Sequence, residues 1–251
     1  NVSLDDKYSI ESGRIFVTGV QALARIPMVQ RQRDVLEGLN TAGFISGYRG
    51  SPVGGFDQQL WRAKKFLEQN HIRFQPGLNE DLAASAIWGS QQTNLHEGGK
   101  YDGVFAIWYG KGPGVDRCGD VFKHGNMSGP AKHGGVLLIA GDDHAAKSST
   151  VPHQSEYAFM DASIPVLNPA GLQDIVDYGI LGFAMSRFSG CWVAFKTTAE
   201  NMDSSASIDV SPDRVKISLP KFDMPEGGLS IRWPDDWIEQ EHRLHQYKLN
   251  A

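Results

Sequence analysis

The chain has 251 residues, of which 41% are hydrophobic and 21% are charged, and its formal net charge at pH 7 is −5. This composition is typical of a globular protein with one large domain, and it offers no basic field for nucleic acid. No apolar stretch approaches the roughly 18–20 residues of a spanning helix, and the polar start is unlike a signal peptide. The two cysteines lie far apart in the sequence, which favours a reducing compartment. We therefore expect a cytoplasmic protein with neither membrane nor nucleic-acid partners.

The first predicted element is a helix over 19–39, in which Pro27 is expected to introduce a kink or to start a second piece. Short apolar runs then predict six strands, at 43–48, 72–76, 103–110, 135–141, 164–169 and 191–197. Helices are predicted between them, at 56–70, 79–97, 116–128, 153–162 and 170–188. The alternation of apolar strands and helices predicts an α/β fold, namely a doubly wound, mostly parallel six-stranded sheet with helices on both faces.

The character of the sequence changes in its last fifth. Strand–helix alternation stops over 199–234, which predicts an extended C-terminal strap, and a last helix is predicted over 235–249. We therefore expect one α/β domain over 1–198, followed over 199–251 by the strap and the start of a helix. That helical pattern has not ended at Ala251, which predicts further domains downstream.

Ligands of doubly wound sheets bind at the carboxyl ends of the strands, so the loops that follow the predicted strands are candidate sites. The glycine-rich loop over 47–56 lacks both the Walker A and the G-x-G-x-x-G patterns. The loop over 108–120 combines four glycines with charged residues, which suits either docking on a substrate or partner, or a flexible loop. In the loop over 141–156, His144 or His153 could act as an acid or base.

One acidic pair, Glu80 and Asp81, begins the predicted helix over 79–97, which is otherwise rich in small and apolar side chains. Asn79 can cap this helix, and acids in the first turn suit the helix dipole, so an ordinary N-terminus explains the pair. The small residues over 83–90 would also let another backbone or a flat ligand approach closely. In that case Glu80 is a half-buried carboxylate that can share a proton with a bound heterocycle.

Five strings of this sequence closely resemble the N-terminal portion of the long, single-polypeptide indolepyruvate ferredoxin oxidoreductases, which belong with the 2-oxoacid:ferredoxin oxidoreductases. The strings are AGFISGYRGSPVGG, FQPGLNEDLAA, VFAIWYGKGPGVDRCGDVFKHGN, GGVLLIAGDDHAAKSST and SGCWVAFKT. The resemblance implies the pyrimidine-type domain of the thiamine-diphosphate-binding fold. It also implies an enzyme that decarboxylates an aryl 2-oxoacid of the indolepyruvate type, passes the acyl group to coenzyme A and passes electrons to ferredoxin.

The resemblance further implies site residues. Glu80 matches the glutamate that hydrogen-bonds the aminopyrimidine ring of thiamine diphosphate in such enzymes, and is the implied catalytic residue. The implied cofactor-binding residues are Tyr48, Arg49, Gly50 and Ser51, together with Glu80. The implied substrate-binding residues are His144, Lys147, Ser148 and Ser149, with Lys147 meeting the carboxylate of the 2-oxoacid.

The chain lacks cluster cysteines and an intact magnesium–diphosphate motif. Gly141-Asp142-Asp143 lacks the second glycine of the G-D-G…N motif of thiamine enzymes, and Asn168 lies in another turn, so no metal site is predicted there. The resemblance implies that other domains of the same polypeptide hold Mg²⁺ and the iron–sulfur clusters. It also implies a homodimer, in which the diphosphate-binding domain covers the small-residue face of the Glu80 helix and this fragment alone is inactive.

Three alternatives remain open at this point. The substrate could be another 2-oxoacid, such as pyruvate or a branched-chain acid. A domain that kept the fold and lost catalysis is a second alternative, although the intact Glu80 and the loops around it disfavour it. A metal-dependent hydrolase that uses the loop from Asp142 to His153 is the third, although the spacing of its residues matches no known zinc or two-metal site.

Overall fold

The computed structural model describes residues 3–146, 151–233 and 235–251. Its helices are α1 (Asp6–Ser9), α2 (Gly19–Leu36), α3 (Phe56–Arg62), α4 (Lys64–Gln69), α5 (Glu80–Gln91), α6 (Gly112–Arg117), α7 (Gly119–Ser128), α8 (Glu156–Asp161), α9 (Leu172–Ser189), α10 (Ala199–Met202) and α11 (Trp237–Arg243). Its strands are β1 (Arg14–Thr18), β2 (Ala42–Gly47), β3 (Ile72–Phe74), β4 (Val104–Lys111), β5 (Val136–Asp142), β6 (Val166–Leu167), β7 (Val193–Thr198) and β8 (Ser205–Asp209). A 3₁₀ turn follows α5 at Thr93–Leu95, and a π-helical turn follows α11 at Leu244–Lys248.

The main sheet has six strands in the order β3-β2-β4-β5-β7-β6, and all of its strand pairs are parallel. The predicted α/β fold with a six-stranded sheet is therefore confirmed. From β2 the chain runs outward to the edge strand β3 and then returns to β4 on the other side of β2. This reversal of direction leaves a crevice between the carboxyl ends of β2 and β4, which is where such sheets bind ligands.

Helices cover both faces of the sheet, as predicted. Alternate residues of β4 point to opposite faces, so Ile107 lies in one buried apolar cluster and Trp108 in the other. The first cluster packs α2, α3 and α9 against the sheet, and the second packs α5, α6, α7 and α8. Every residue of β5 is buried, which explains why this strand reads as an uninterrupted apolar run. Among the described residues, no helix is both long enough and apolar enough to cross a bilayer.

Several predicted helices have different bounds in the structure. Helix α2 continues through Pro27 as one helix, so the predicted second piece was wrong. The helix predicted over 56–70 is two helices that meet at Ala63. The helix predicted over 116–128 begins earlier, because α6 starts at Gly112 with Pro113 in its first turn, a position where the missing N–H of proline has no cost.

A second, two-stranded sheet was not predicted. Strands β1 and β8 pair antiparallel, with Arg14 opposite Asp209. Helix α10 and strand β8 both fall inside 199–234, so the extended strap predicted there begins only after β8. Strand β8 therefore joins the C-terminal segment to the start of the chain.

The last turn of the chain docks through a buried lysine. Lys248 is 2% exposed, and its Nζ donates to the carbonyl of Met127 at 2.6 Å and to that of Asn126 at 3.4 Å. These carbonyls belong to the last turn of α7, where no intrahelical donor is left for them. Burial lowers the pKa of Lys248 from 10.5 to about 8.

The sign of the resulting pH dependence follows from that shift. Between about pH 8 and pH 10.5 the unfolded chain holds a proton on residue 248 that the folded chain has released, so folding becomes more favourable as pH rises. We predict that the free energy of unfolding of the wild type rises by about 2 kcal/mol relative to Lys248→Met between about pH 7.5 and pH 9.5. Urea unfolding of both chains at the two pH values measures this difference, and an unchanged difference would contradict the prediction.

Candidate functional site

Three hydrogen bonds, each with at least one backbone partner, hold the first turn of α5 at the carboxyl edge of the main sheet. The side chain of Asn79 accepts a hydrogen bond from the amide of Leu82 at 2.9 Å, which confirms the predicted cap. Trp108 on β4 donates its indole N–H to the carbonyl of Glu80 at 2.9 Å. The amide of Gly77 donates to the carbonyl of Gly47 at the end of β2, also at 2.9 Å. Glu80 therefore lies on a rigid turn beside the crevice between β2 and β4.

The carboxylate of Glu80 is almost enclosed. Its side chain is 13% exposed, and within the described part of the chain no donor lies within hydrogen-bonding distance of it. The nearby cation is Arg117, whose Nη1 is 4.0 Å from Oε2 of Glu80 and whose Nε donates to Asp81 at 3.0 Å. Arg117 thus makes its strong contact with Asp81, and the carboxylate of Glu80 keeps its acceptor capacity.

Helix α6 closes one side of this carboxylate, and the contact is close because residue 114 is a glycine. A Cβ on Gly114 would lie 2.6 Å from Cγ of Glu80 and 3.0 Å from its Oε1. Two residues earlier, a Cβ on Gly112 would lie 2.1 Å from Nδ1 of His153. The first turn of α6 is therefore enclosed between Glu80 on one side and His153 on the other.

The loop after β2 holds the four other predicted cofactor-binding residues. Tyr48 is 41% exposed, Arg49 and Ser51 are exposed, and Gly50 is half-buried. A Cβ on Gly50 would lie 2.8 Å from the side chain of Lys111 at the end of β4. The loop therefore lies across the carboxyl edge of the sheet, and it adjoins Glu80 through the hydrogen bond between Gly77 and Gly47. Whether these four residues bind a cofactor stays a prediction.

The predicted substrate-binding residues lie in the loop after β5. His144 is exposed and lines a cleft of about 460 Å³ together with Pro152, His153, Gln154 and Tyr157. The predicted residues Lys147, Ser148 and Ser149 lie outside the described residues. Of the predicted substrate-binding set, His144 alone can therefore be located.

Asp142, at the end of β5, is the centre of a buried polar network. Its carboxylate accepts from the amide of Ser155 at 2.9 Å and from its hydroxyl at 2.5 Å. Lys196 on β7 lies 3.6 Å from Asp142 and also pairs with Glu156. Burial raises the pKa of Glu156, but the hydrogen bond and charge of Lys196 outweigh it and hold that pKa below its usual value.

This network orders the segment after the β5 loop. Among the described residues, no group of three or more histidine, cysteine, aspartate or glutamate side chains could hold a metal ion. The carboxylate of Asp142 is instead engaged with a serine and a lysine. Its role in the structure is to anchor Ser155 and the start of α8.

His153 lies between two carboxylates. Its Nε2 is 2.8 Å from Oδ2 of Asp116 on α6, and its Nδ1 is 3.6 Å from Oδ1 of Asp142. The side chain is 13% exposed, and Nδ1 is buried without a hydrogen-bond partner. The sequence identified His153 as a possible acid or base, but gave no sign that Asp116 is its partner.

The small residues of α5, expected to let a partner approach closely, do not all face outward. Ala83 and Ala84 are buried in this domain's own core against the sheet, so they are unavailable to a partner. Ser85, Ala86 and Gly89 are exposed. The outward surface also carries apolar Leu82, which is 52% exposed. The predicted close approach of a partner is therefore possible only over this outer strip of α5.

Sequence reasoning did not identify Trp108, Gly114, Ser155 or Lys196 as parts of this edge. Gly114 was visible only as one of four glycines in a predicted loop. Of these residues, Lys196 had the clearest sequence signal for a buried polar role, because it is a lysine within the apolar strand β7. Both cysteines are free and buried, and burial raises the pKa of the thiols of Cys118 and Cys191.

No protein-family model and no curated protein matches the chain. Among solved structures, the fold is similar to that of a 2-oxoglutarate:ferredoxin oxidoreductase from Magnetococcus marinus, determined with 2-oxoglutarate, coenzyme A and succinyl-CoA bound. The TM-score is 0.64 at 14% sequence identity, over 95% of this chain and 45% of the other. The two proteins therefore share a fold, and this chain spans less than half the length of that relative.

We predict that Gly114→Ala lowers the free energy of unfolding by about 1–3 kcal/mol, because the added methyl group collides with Glu80. Gly119→Ala is the matched control, since nothing lies within 4 Å of a Cβ there, and it should be neutral or slightly stabilising. Truncating Glu80 to alanine in the Gly114→Ala background should remove most of the penalty, so the two changes should be non-additive. Urea unfolding of Gly114→Ala, Gly119→Ala, Glu80→Ala and the Glu80→Ala/Gly114→Ala double variant measures this, and additive effects would contradict the described contact.

Proposed function

We propose that this chain is the part of a 2-oxoacid:ferredoxin oxidoreductase that presents the catalytic carboxylate, Glu80, to the aminopyrimidine ring of thiamine diphosphate. The complete enzyme would convert an aryl 2-oxoacid of the indolepyruvate type and coenzyme A to acyl-CoA and CO₂, with electrons passed to ferredoxin. The observation that carries the proposal is the enclosed carboxylate of Glu80, which is 13% exposed and has no donor among the described residues. The shared fold with a 2-oxoglutarate:ferredoxin oxidoreductase supports it.

The position of Glu80 at the carboxyl edge of the sheet suits contact with a flat, nitrogen-containing ring. Gly114 packs against one side of the carboxylate, and the strand order places the carboxyl ends of β2 and β4 beside it, where such sheets bind ligands. The side chain of Glu80 is only 13% exposed and its nearest cation is 4.0 Å away, so an N–H of a ring would find an acceptor with little competition from water. When bound, thiamine diphosphate supplies the electron sink that decarboxylation of a 2-oxoacid requires.

Glu80 would accept and hold the proton at the ring nitrogen that it faces. Its position in the first turn of α5 matters, because the helix dipole stabilises a negative charge there. Trp108 and Asn79 hold this turn in place through their hydrogen bonds. With little water at the carboxylate, the hydrogen bond to the ring is stronger than at an exposed site.

Other residues of the edge are proposed for binding. Tyr48, Arg49, Gly50 and Ser51 would lie over the cofactor, because their loop crosses the ends of the strands beside Glu80. We propose that His144, with Lys147, Ser148 and Ser149, meets the substrate, Lys147 through the carboxylate of the 2-oxoacid. The 460 Å³ cleft at His144 and Tyr157 supports a substrate subsite on that side.

The remaining parts of the reaction are proposed for other domains of the same polypeptide. This chain covers 45% of the similar oxidoreductase, so Mg²⁺, the diphosphate group and the iron–sulfur clusters would be held elsewhere. Leu78 is 86% exposed and Leu82 is 52% exposed beside Glu80, which suits a surface that a further domain covers, across a homodimer. The isolated fragment would then be inactive.

We predict that Glu80→Gln lowers turnover of the complete polypeptide by about 10²–10⁴-fold, because an amide cannot take up the proton. The assay follows viologen or ferredoxin reduction with thiamine diphosphate, Mg²⁺, coenzyme A and indolepyruvate. Asp81→Asn is the matched control, because it removes a charge from the same helix turn but from a 39% exposed side chain that pairs with Arg117. It should cost less than about threefold, as expected for a surface ion pair.

Retained turnover in Glu80→Gln would leave Glu80 as an ordinary first-turn acid and would overturn the proposal. A panel of 2-oxoacids tests the substrate separately. Preference for indolepyruvate over pyruvate, branched-chain acids and 2-oxoglutarate is the expected result. Preference for one of the others would keep the reaction class and reject the aryl substrate.

A further inference from the structure

A large cavity lies at the opposite edge of the main sheet from Glu80. It has a volume of about 890 Å³ and lies between α2, α9 and the C-terminal strap. Its lining includes Leu39, just before β2, and His133, just before β5. The cavity is therefore at the amino ends of the strands, whereas Glu80 lies at their carboxyl ends. Cavities of about 300–1,000 Å³ are the size that small-molecule ligands occupy.

The strap is anchored on both sides of this cavity. At its start, the guanidinium of Arg33 on α2 donates to the carbonyls of Pro212 and Val215. At its end, the amide of Ile231 donates to the carbonyl of Pro130 at 2.9 Å. The stretch between these anchors lines the cavity. The cavity is therefore formed by the chain itself, without a ligand.

Apolar side chains from both sides form its walls. On α9, Ile180, Ala184 and Phe188 recur every four residues, which places them on one face of the helix. On the strap, Ile217 and Leu219 alternate, as residues on one side of an extended segment do. Leu219 is 61% exposed although it is apolar. An apolar ligand body in the cavity would remove such surface from water.

The lining carries more positive than negative charge. Among the described residues it includes three cations, Arg33, Lys132 and Arg187, and one carboxylate, Glu37. Arg187 is neutralised, because its Nη1 and Nη2 bind the carboxylate of buried Asp34 at 2.6 and 2.9 Å. The hydrogen bonds of Arg33 go to carbonyl groups, which leave its charge in place. Two cations therefore act against the single charge of Glu37.

The imidazole of His133 reports the sign of this field. Burial lowers the pKa of His133 below its usual value, and the positive charges of Arg187 and Lys132 lower it further, against the opposite effects of Asp102 and Asp34. Surroundings that disfavour a positive charge favour a negative one. The charged end of a ligand at this position is therefore expected to be an anion.

We propose that this cavity binds a medium-chain alkyl carboxylate, with the carboxylate at Lys132 and the alkyl chain between α9 and the strap. Lys132 is exposed, so the carboxylate keeps contact with water while the chain is buried, and burial of a charge is avoided. The proposal goes beyond the proposed function and does not depend on it, because Glu80 is not part of the cavity lining.

Calorimetric titration of the complete polypeptide with sodium decanoate tests the proposal. We expect a dissociation constant below about 1 mM. Decylammonium chloride has the same alkyl chain and the opposite charge, so it should bind at least about tenfold more weakly. Ala184→Phe should abolish decanoate binding, because the larger side chain fills the cavity. Unchanged binding in Ala184→Phe, or equal affinity for the two ligands, would overturn the proposal.

Two exposed residues of the lining should give effects of opposite sign. Lys132→Met should weaken decanoate binding about fivefold, which is the upper range for an exposed ion pair. Glu37→Gln should tighten it about twofold, because it removes a repulsive charge. Both side chains are exposed, which keeps the test decisive if Ala184→Phe fails to fold. Lys100→Met is the matched control, since Lys100 is exposed and lies outside the lining. Equal affinities in Lys132→Met and Lys100→Met would overturn the proposed anion contact.

Hydrogen–deuterium exchange locates the ligand. Decanoate at about ten times its dissociation constant should slow the local opening of peptides over 215–231 about tenfold, because it binds only the docked strap. Peptides over 112–117 should not change. Glu80→Gln should bind decanoate as the wild type does, whatever its turnover, so the proposed function and this inference can fail separately. An unprotected strap, or loss of decanoate binding in Glu80→Gln, would overturn the inference.

Discussion

The carboxylate of Glu80, whose side chain is 13% exposed at the carboxyl edge of a parallel sheet, is the feature around which this edge is arranged. Partial burial of a carboxylate raises the free energy of the folded state, and the nearest cation to the carboxylate of Glu80 is Arg117, at 4.0 Å. The dipole of α5 offsets part of that cost, and the contacts of Asn79 and Trp108 keep the turn from relaxing towards water.

The topology explains why the other elements meet there. The strand order reverses between β2 and β4, so the loop after β2, the first turn of α5 and the start of α6 all reach the same crevice. Helix α6 lies between Glu80 on one side and the polar network of His153 and Asp142 on the other. Gly112 contacts His153 and Gly114 contacts Glu80, so both side chains pack against this one short helix.

The parts of the fold that the sequence could predict are those with a local signal. Short apolar runs bounded by turns identified all six strands of the main sheet, and four of these runs were continuous. Strands β1 and β8 lacked such a signal, because they are short, half-exposed and paired across the length of the chain, with Arg14 opposite Asp209. Helix α6 was hidden because glycine is a poor helix former. Gly112 and Gly114 allow α6 to pack closely against His153 and Glu80, and these contacts with distant residues cannot be predicted from a local pattern.

The same division holds for the site. The cap at Asn79 and the partial burial of Glu80 followed from a local pattern, whereas the pairing of His153 with Asp116 joins distant residues and needs the fold.

The most direct test of the account is a structure of the complete polypeptide with thiamine diphosphate and Mg²⁺ bound. We predict that a carboxylate oxygen of Glu80 lies within about 2.6–3.2 Å of a nitrogen of the aminopyrimidine ring. A ring bound elsewhere, with Glu80 in contact only with its own helix and Arg117, would contradict the account.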